Sequence, residues 1–109
     1  MGEDNHADYL QAIHDPDTVR AMLEDYRAGL GVDRAADDAD RAAGHRIGCP
    51  TLVLWSSRDD LEELFGNPLA IWSQWTTDLR GGGAIDSGHH MAEEAPVELA
   101  TELGRFLAM

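Results

Sequence analysis

The stretch Thr51-Leu52-Val53-Leu54-Trp55 constrains this chain more than any other. It is a short apolar run without alternation, the pattern of a strand covered on both faces. Strands of that kind belong to parallel sheets packed between helices. Ala84-Ile85-Asp86 reads as a brief second strand, and Asn67-Pro68 opens a helix between the two. Asparagine caps free N–H groups there, and proline at the first helical position loses nothing by lacking its own. Leu69, Ile71, Trp72, Trp75 and Leu79 extend that helix over 68–79, and Gly81-Gly82-Gly83 ends it. Pro96 starts a last helix with Leu99, Leu103, Phe106 and Leu107 on one face. The order strand, helix, strand, helix predicts a parallel pair joined by a crossover. Two parallel strands do not make an independent sheet. The sequence therefore reads as the end of an α/β protein whose other strands are not in it.

Upstream, Asp15-Pro16 is a second cap-and-proline signal. Val19, Met22, Leu23 and Tyr26 follow at the i, i+3, i+4, i+7 spacing of one helical face, and Gly29 supplies a stop. The spacing predicts a helix over 16–28. Residues 1–14 are polar and predict no firm element, although Tyr9, Leu10 and Ile13 would form the apolar edge of a short helix. Leu30 to Gly44 is alanine and charge; it allows a solvated helix whose only stripe is alanine, but a wetted surface connector is the preferred reading.

Composition removes several function classes. The chain has 109 residues, enough for one domain, and a formal net charge of −13. That acidic excess repels nucleic-acid phosphates and disfavours anionic membrane surfaces. The apolar run at Leu52–Trp55 is far too short to span a bilayer. The opening Met1-Gly2-Glu3-Asp4 is acidic where a secretory leader needs positive charge. Cys49 is the single cysteine and cannot form an internal disulfide, so a cytoplasmic location is expected. Every basic residue is arginine. With abundant Ala, Gly and Asp, this points to a GC-rich bacterial genome rather than a salt-adapted host.

Ligands of open α/β sheets bind at the carboxyl ends of the strands. Two polar loops belong there, Ser56-Ser57-Arg58-Asp59-Asp60 and Ser87-Gly88-His89-His90. A carboxylate after one strand and a histidine after the next can hold an imidazole in its useful tautomer, leaving it to act as general base. Spacing alone equally allows Asp59 to be a solvated loop acid and His89 a hydrogen-bonded loop residue. No further ligands stand at metal-binding spacing beside His89-His90, so no metal is expected.

Taken together, the motifs resemble the closing part of the α/β-hydrolase fold, and in particular its haloacetate (fluoroacetate) dehalogenase branch. The resemblance is carried by Glu24-Asp25-Tyr26-Arg27-Ala28-Gly29, Cys49-Pro50 with the strand after it, and Asn67-Pro68-Leu69-Ala70-Ile71-Trp72 with Trp75. It ends with Ser87-Gly88-His89-His90-Met91-Ala92-Glu93-Glu94-Ala95-Pro96. It runs from about Asp15 onward, in family order. It implies an α/β fold with two parallel strands and flanking helices, preceded by the end of a helical cap. Residues 1–44 would be cap and connector, and 45–109 the closing strand–helix–strand–helix of the core.

The implied reaction is hydrolysis of the carbon–halogen bond of a small haloacid through an aspartyl ester, without cofactor. His89 matches the histidine that activates water, Tyr26 a tyrosine that holds the departing halide, and His90 a pocket-lining position. Asp59 matches the acid partner of α/β hydrolases generally. In the dehalogenase branch that acid usually comes from an earlier strand, so Asp59 is either acid partner or loop residue. Arg58 and Ser56-Ser57 replace a more glycine-rich loop. The family's nucleophile sits in Gly-x-Asp-x-Gly, and neither that motif nor Gly-x-Ser-x-Gly occurs here. The chain is thus expected to be inactive alone, its haloacid or ester substrate being met by the full-length parent with a complementing N-terminal portion. Two alternatives stand beside this: a segment of a serine esterase of the same fold, and a small non-catalytic acidic domain that forms a homo-oligomer.

Overall fold

A computed structural model describes residues 2–109. In it β1 (Thr51–Ser56) and β2 (Leu79–Ile85) pair in parallel as a two-stranded sheet. From Leu52↔Gly81 to Ser56↔Ile85 the register is continuous, with one irregularity between Thr51 and Leu52. This pair anchors one of two compact units, Arg46–Met109; the other is Met1–His45.

In the sheet unit the second strand is longer than its sequence suggests, and the three glycines lie inside it rather than ending a helix. Gly82 explains why. A Cβ there would stand 2.2 Å from the Val53 carbonyl oxygen and 2.7 Å from Leu69 Cδ2. Only a residue without a side chain lets β2 and the Leu69 helix approach β1 so closely.

The helix expected over 68–79 shrinks to α5 (Pro68–Trp72), after the five-residue α4 (Leu61–Phe65). Its cap is as read: the Asn67 side chain accepts from the Leu69 N–H at 2.9 Å. The helix stops early because the following backbone is paired elsewhere. The Ile47 N–H donates to the Trp75 carbonyl at 2.8 Å, and the Thr77 N–H donates to the Ile47 carbonyl at 3.0 Å. Thr76, buried, donates its hydroxyl to the same Ile47 carbonyl. Helical continuation would forfeit these bonds.

Beyond β2 come α6 (Met91–Glu94) and α7 (Pro96–Leu107), the latter packing on β2. Val53, Trp55, Ile85 and Ala95 form the buried apolar core, with Pro68 fully enclosed. Burying a Val- or Ile-sized side chain stabilises by about 1.5–3 kcal/mol; with only Val53, Ile85, one tryptophan and one alanine buried, the core is small. On α7 Leu99 and Phe106 are half-buried, whereas Leu107 is 81% exposed.

The other unit is helical throughout: α1 (Glu3–Ile13), α2 (Pro16–Gly29) and α3 (Val32–Ala43). For α2 the cap reading holds, with the Asp15 side chain accepting from the Asp17 N–H at 2.9 Å. Gly29 is its last helical residue rather than a left-handed stop, and Leu30 follows in right-handed geometry. Two stretches the sequence left open are helical here. Residues 1–14 contain α1, which carries Glu3 and Asp4 in the first turn, where the helix dipole favours them. The supposed connector contains α3, whose residues are all exposed. Alanine's intrinsic helix preference and an i,i+4 Arg34–Asp38 pair at 3.3 Å support it without an apolar stripe. Gly44 closes it at φ 72°, while the His45 N–H donates to the Asp40 carbonyl at 2.9 Å, a Schellman end that favours glycine. None of the described residues of this unit is buried.

Candidate active site at the carboxyl ends of the strands

Parallel strands deliver their following loops to one edge of the sheet, and the two polar loops meet there. The Ser57 N–H donates to the Ile85 carbonyl at 2.8 Å and the Arg58 N–H to the Ser87 carbonyl at 3.2 Å, stitching the loops together. The Arg58 guanidinium adds a bond to the Asp86 carbonyl and an ion pair with its carboxylate, each at 3.0 Å.

That stitching brings Asp59 to His89. Asp59 Oδ2 lies 2.8 Å from His89 Nδ1. A carboxylate can only accept, so the Nδ1–H donates and the lone pair is left on Nε2. Asp59 is itself held, because its Oδ1 accepts from the Asp60 N–H at 2.9 Å. The imidazole is 78% exposed and the carboxylate 31%. The hydrogen bond to Asp59, followed by that residue's negative charge, raises the His89 pKa above the ordinary imidazole value. Asp59 is correspondingly lowered, first by the bond from His89 and then by the Asp60 N–H. This is an imidazole oriented by an acid with its second nitrogen available, the constellation of a general base.

The turn carrying His89 has its own supports, which reading the sequence did not assign. Ser56 at the end of β1 donates its hydroxyl to the Gly88 carbonyl at 2.5 Å. The fully buried Ser87 hydroxyl donates to Ser56 Oγ at 3.2 Å. Glu94 accepts from the Gly88 N–H at 2.8 Å and from the His90 N–H at 3.3 Å. Those backbone N–H groups, Gly88 first, lower its pKa. The motif Glu93-Glu94-Ala95-Pro96 was visible in the sequence, but nothing there shows that its second acid folds back across six residues. His90 lies edge to face with His89, ring centroids 5.3 Å apart. Tyr26 lies in the helical unit, on α2, and is 75% exposed. Val19 and Leu23 of the same helix line an open groove of about 560 Å³ within that unit. Among the described residues no group of three or more His, Cys, Asp or Glu could hold a metal ion, and no helix is long and apolar enough to cross a membrane.

No family model matches the chain. Solved structures do. A mutant of a candidate epoxide hydrolase from Pseudomonas aeruginosa is 41% identical with a TM-score of 0.89, over 99% of this chain and 36% of that chain. A second mutant, solved with bound MFA, is 41% identical with a TM-score of 0.88 and the same coverage. A candidate acyltransferase from Salmonella enterica is 30% identical with a TM-score of 0.86, over 98% of this chain and 34% of that one. The chain has the fold of a C-terminal α/β-hydrolase segment. The chain spans about a third of the length of the structures it matches.

Proposed function

We propose that this hydrolase segment supplies the histidine base of an enzyme that cleaves small haloacids hydrolytically. The observation that carries the reading is the 2.8 Å hydrogen bond between His89 and Asp59 at the carboxyl ends of two parallel strands. In the proposed reaction an aspartate outside this sequence attacks the halogen-bearing carbon. The carbon–halogen electron pair leaves with the halide, and an enzyme ester forms. His89 Nε2 then takes a proton from water, which attacks the ester carbonyl. The hydroxy acid departs and the carboxylate is restored. Tyr26 donates its phenolic O–H to the departing halide, an anion that leaves poorly without a donor, and His90 lines the pocket. The helical unit serves as the end of a cap, and the lone Cys49 supports a cytoplasmic location.

The test is a chimera that joins the part of the Pseudomonas aeruginosa protein not matched by this chain to this chain. It should release fluoride or chloride from haloacetates. His89→Ala should stop turnover after one equivalent and trap the ester, visible as a mass increase on the protein. A folded chimera that releases no halide, or whose release survives His89→Ala, refutes the reading.

One observation favours a second reading, a serine esterase of the same fold. The partner of His89 comes from the loop after β1 within this chain, as in α/β hydrolases generally. Serine rather than aspartate at the nucleophile turn of the parent would decide for it.

A further inference from the structure

Glu94 stands in no role so far, yet its carboxylate straddles the residue the mechanism depends on. Its two oxygens accept from the N–H groups of Gly88 and His90, the residues on either side of His89. The fit is tight, since a Cβ on Gly88 would stand 2.8 Å from both Glu94 oxygens. Ser56 in turn holds the Gly88 carbonyl. The residues flanking His89 are thus gripped by α6 through their N–H groups and by β1 through the Gly88 carbonyl. A ring 78% exposed has little packing to orient it, so its direction is set by its backbone and by Asp59.

We propose that Glu94 is a positioning residue for His89, clamping the Gly88 and His90 amides so that the imidazole stays on Asp59. The proposal rests on His89 being the base. It is read by titration and amide exchange rather than turnover, so it fails separately from the halide assay. The acids acting on His89 are Asp59, Asp60 and Glu94 itself, with Asp59 foremost. A test must therefore separate Glu94's charge from its grip. Glu94→Gln removes the charge but keeps one amide acceptor, whereas Glu94→Ala removes both.

The experiment follows the His89 ring signals by NMR through a pH titration of the full chain, with hydrogen exchange of the Gly88 and His90 amides. The Gln and Ala variants are each made with Asp59 intact and with Asp59→Asn. Glu94→Ala should speed exchange of both amides by about ten- to a hundredfold, the loss expected for a hydrogen bond to a charged acceptor. It should also lower the His89 titration midpoint further than Gln does, and that extra fall should vanish when Asp59 is Asn. Equal falls for Gln and Ala, or an extra fall that persists without Asp59, reduce Glu94 to a distant charge and overturn the proposal. So does a wild-type His89 that titrates at the ordinary imidazole value. If Glu94→Ala loses the native Val53 and Ile85 amide signals, the Gln variant decides alone. One of the two amides should then lose protection while the His89 midpoint falls; unchanged protection of both overturns the clamp.

Discussion

The bond from His89 to Asp59 has opposite consequences for stability and for rate. His89's raised pKa contributes stability that is fully present below the ordinary imidazole value and lost as pH rises through the raised one. Asp59's lowered pKa contributes stability present above the ordinary carboxylate value and lost as pH falls through the lowered one. The pair therefore supports the fold best between the two titrations. Solvent screens it, since most of the imidazole is exposed, so the effect on melting is small. Rate is the better readout. A base must be unprotonated, so turnover by the chimera should climb as pH rises through the raised His89 value. Asp59→Asn should move that climb to lower pH and cut the plateau by about 10²- to 10⁴-fold, the usual worth of an oriented acid–base group. A pH–rate profile checks both. An unmoved climb would show that Asp59 does not orient the ring.

The strand pair makes a sharper mechanical prediction. Gly82→Ala must push its methyl group into the Val53 carbonyl and Leu69. It should destabilise the sheet unit by about 1–3 kcal/mol, the usual cost of overpacking. Gly83→Ala, which meets nothing within 4 Å, should be close to neutral; denaturant midpoints of the two variants compare them directly. In α2, Asp15→Ala should cost about 1 kcal/mol of helix stability by losing its cap, read by circular dichroism on heating. These elements also mark what could be read before the structure. Asp15-Pro16, Asn67-Pro68 and the run from Thr51 to Trp55 act through their immediate neighbours, and their readings held. The Asp59–His89 pairing was readable because parallel strands oblige their loops to meet. What escaped depends on distant partners. Ile47 captures the backbone of Trp75 and Thr77, so a helix predicted through Leu79 ends at Trp72. The demand for glycine at position 82 comes from Val53, which no local pattern records. Helices α1 and α3 were left open for another reason: their support is intrinsic preference and capping, while apolar spacing was the signal sought.

The distribution of apolar side chains carries the last argument. Met22 is 51% exposed, Leu23 59%, Phe65 65% and Val97 72%, so large apolar surface is open in both units. On α2, Val19 and Leu23 line one open groove with Ile13, and contiguous exposed apolar surface marks an interaction site. The matched structures are nearly three times as long as this chain, which covers 36% of two and 34% of another. The surface that covers these side chains is therefore expected in the part of an α/β-hydrolase that this sequence does not contain. The prediction is specific to dye binding. The chain alone should enhance the fluorescence of a hydrophobic dye, and the chimera should do so far less per molecule. Leu23→Asp should weaken the signal of the chain with little change in its helical circular dichroism, since Leu23 is more than half exposed. A dye-silent chain that sediments as a dimer would instead assign the cover to a second copy, and with it the acidic oligomer reading. Dye binding by chain and chimera alike would show that the upstream part does not dock on these faces, and the proposed enzyme would lose its physical basis.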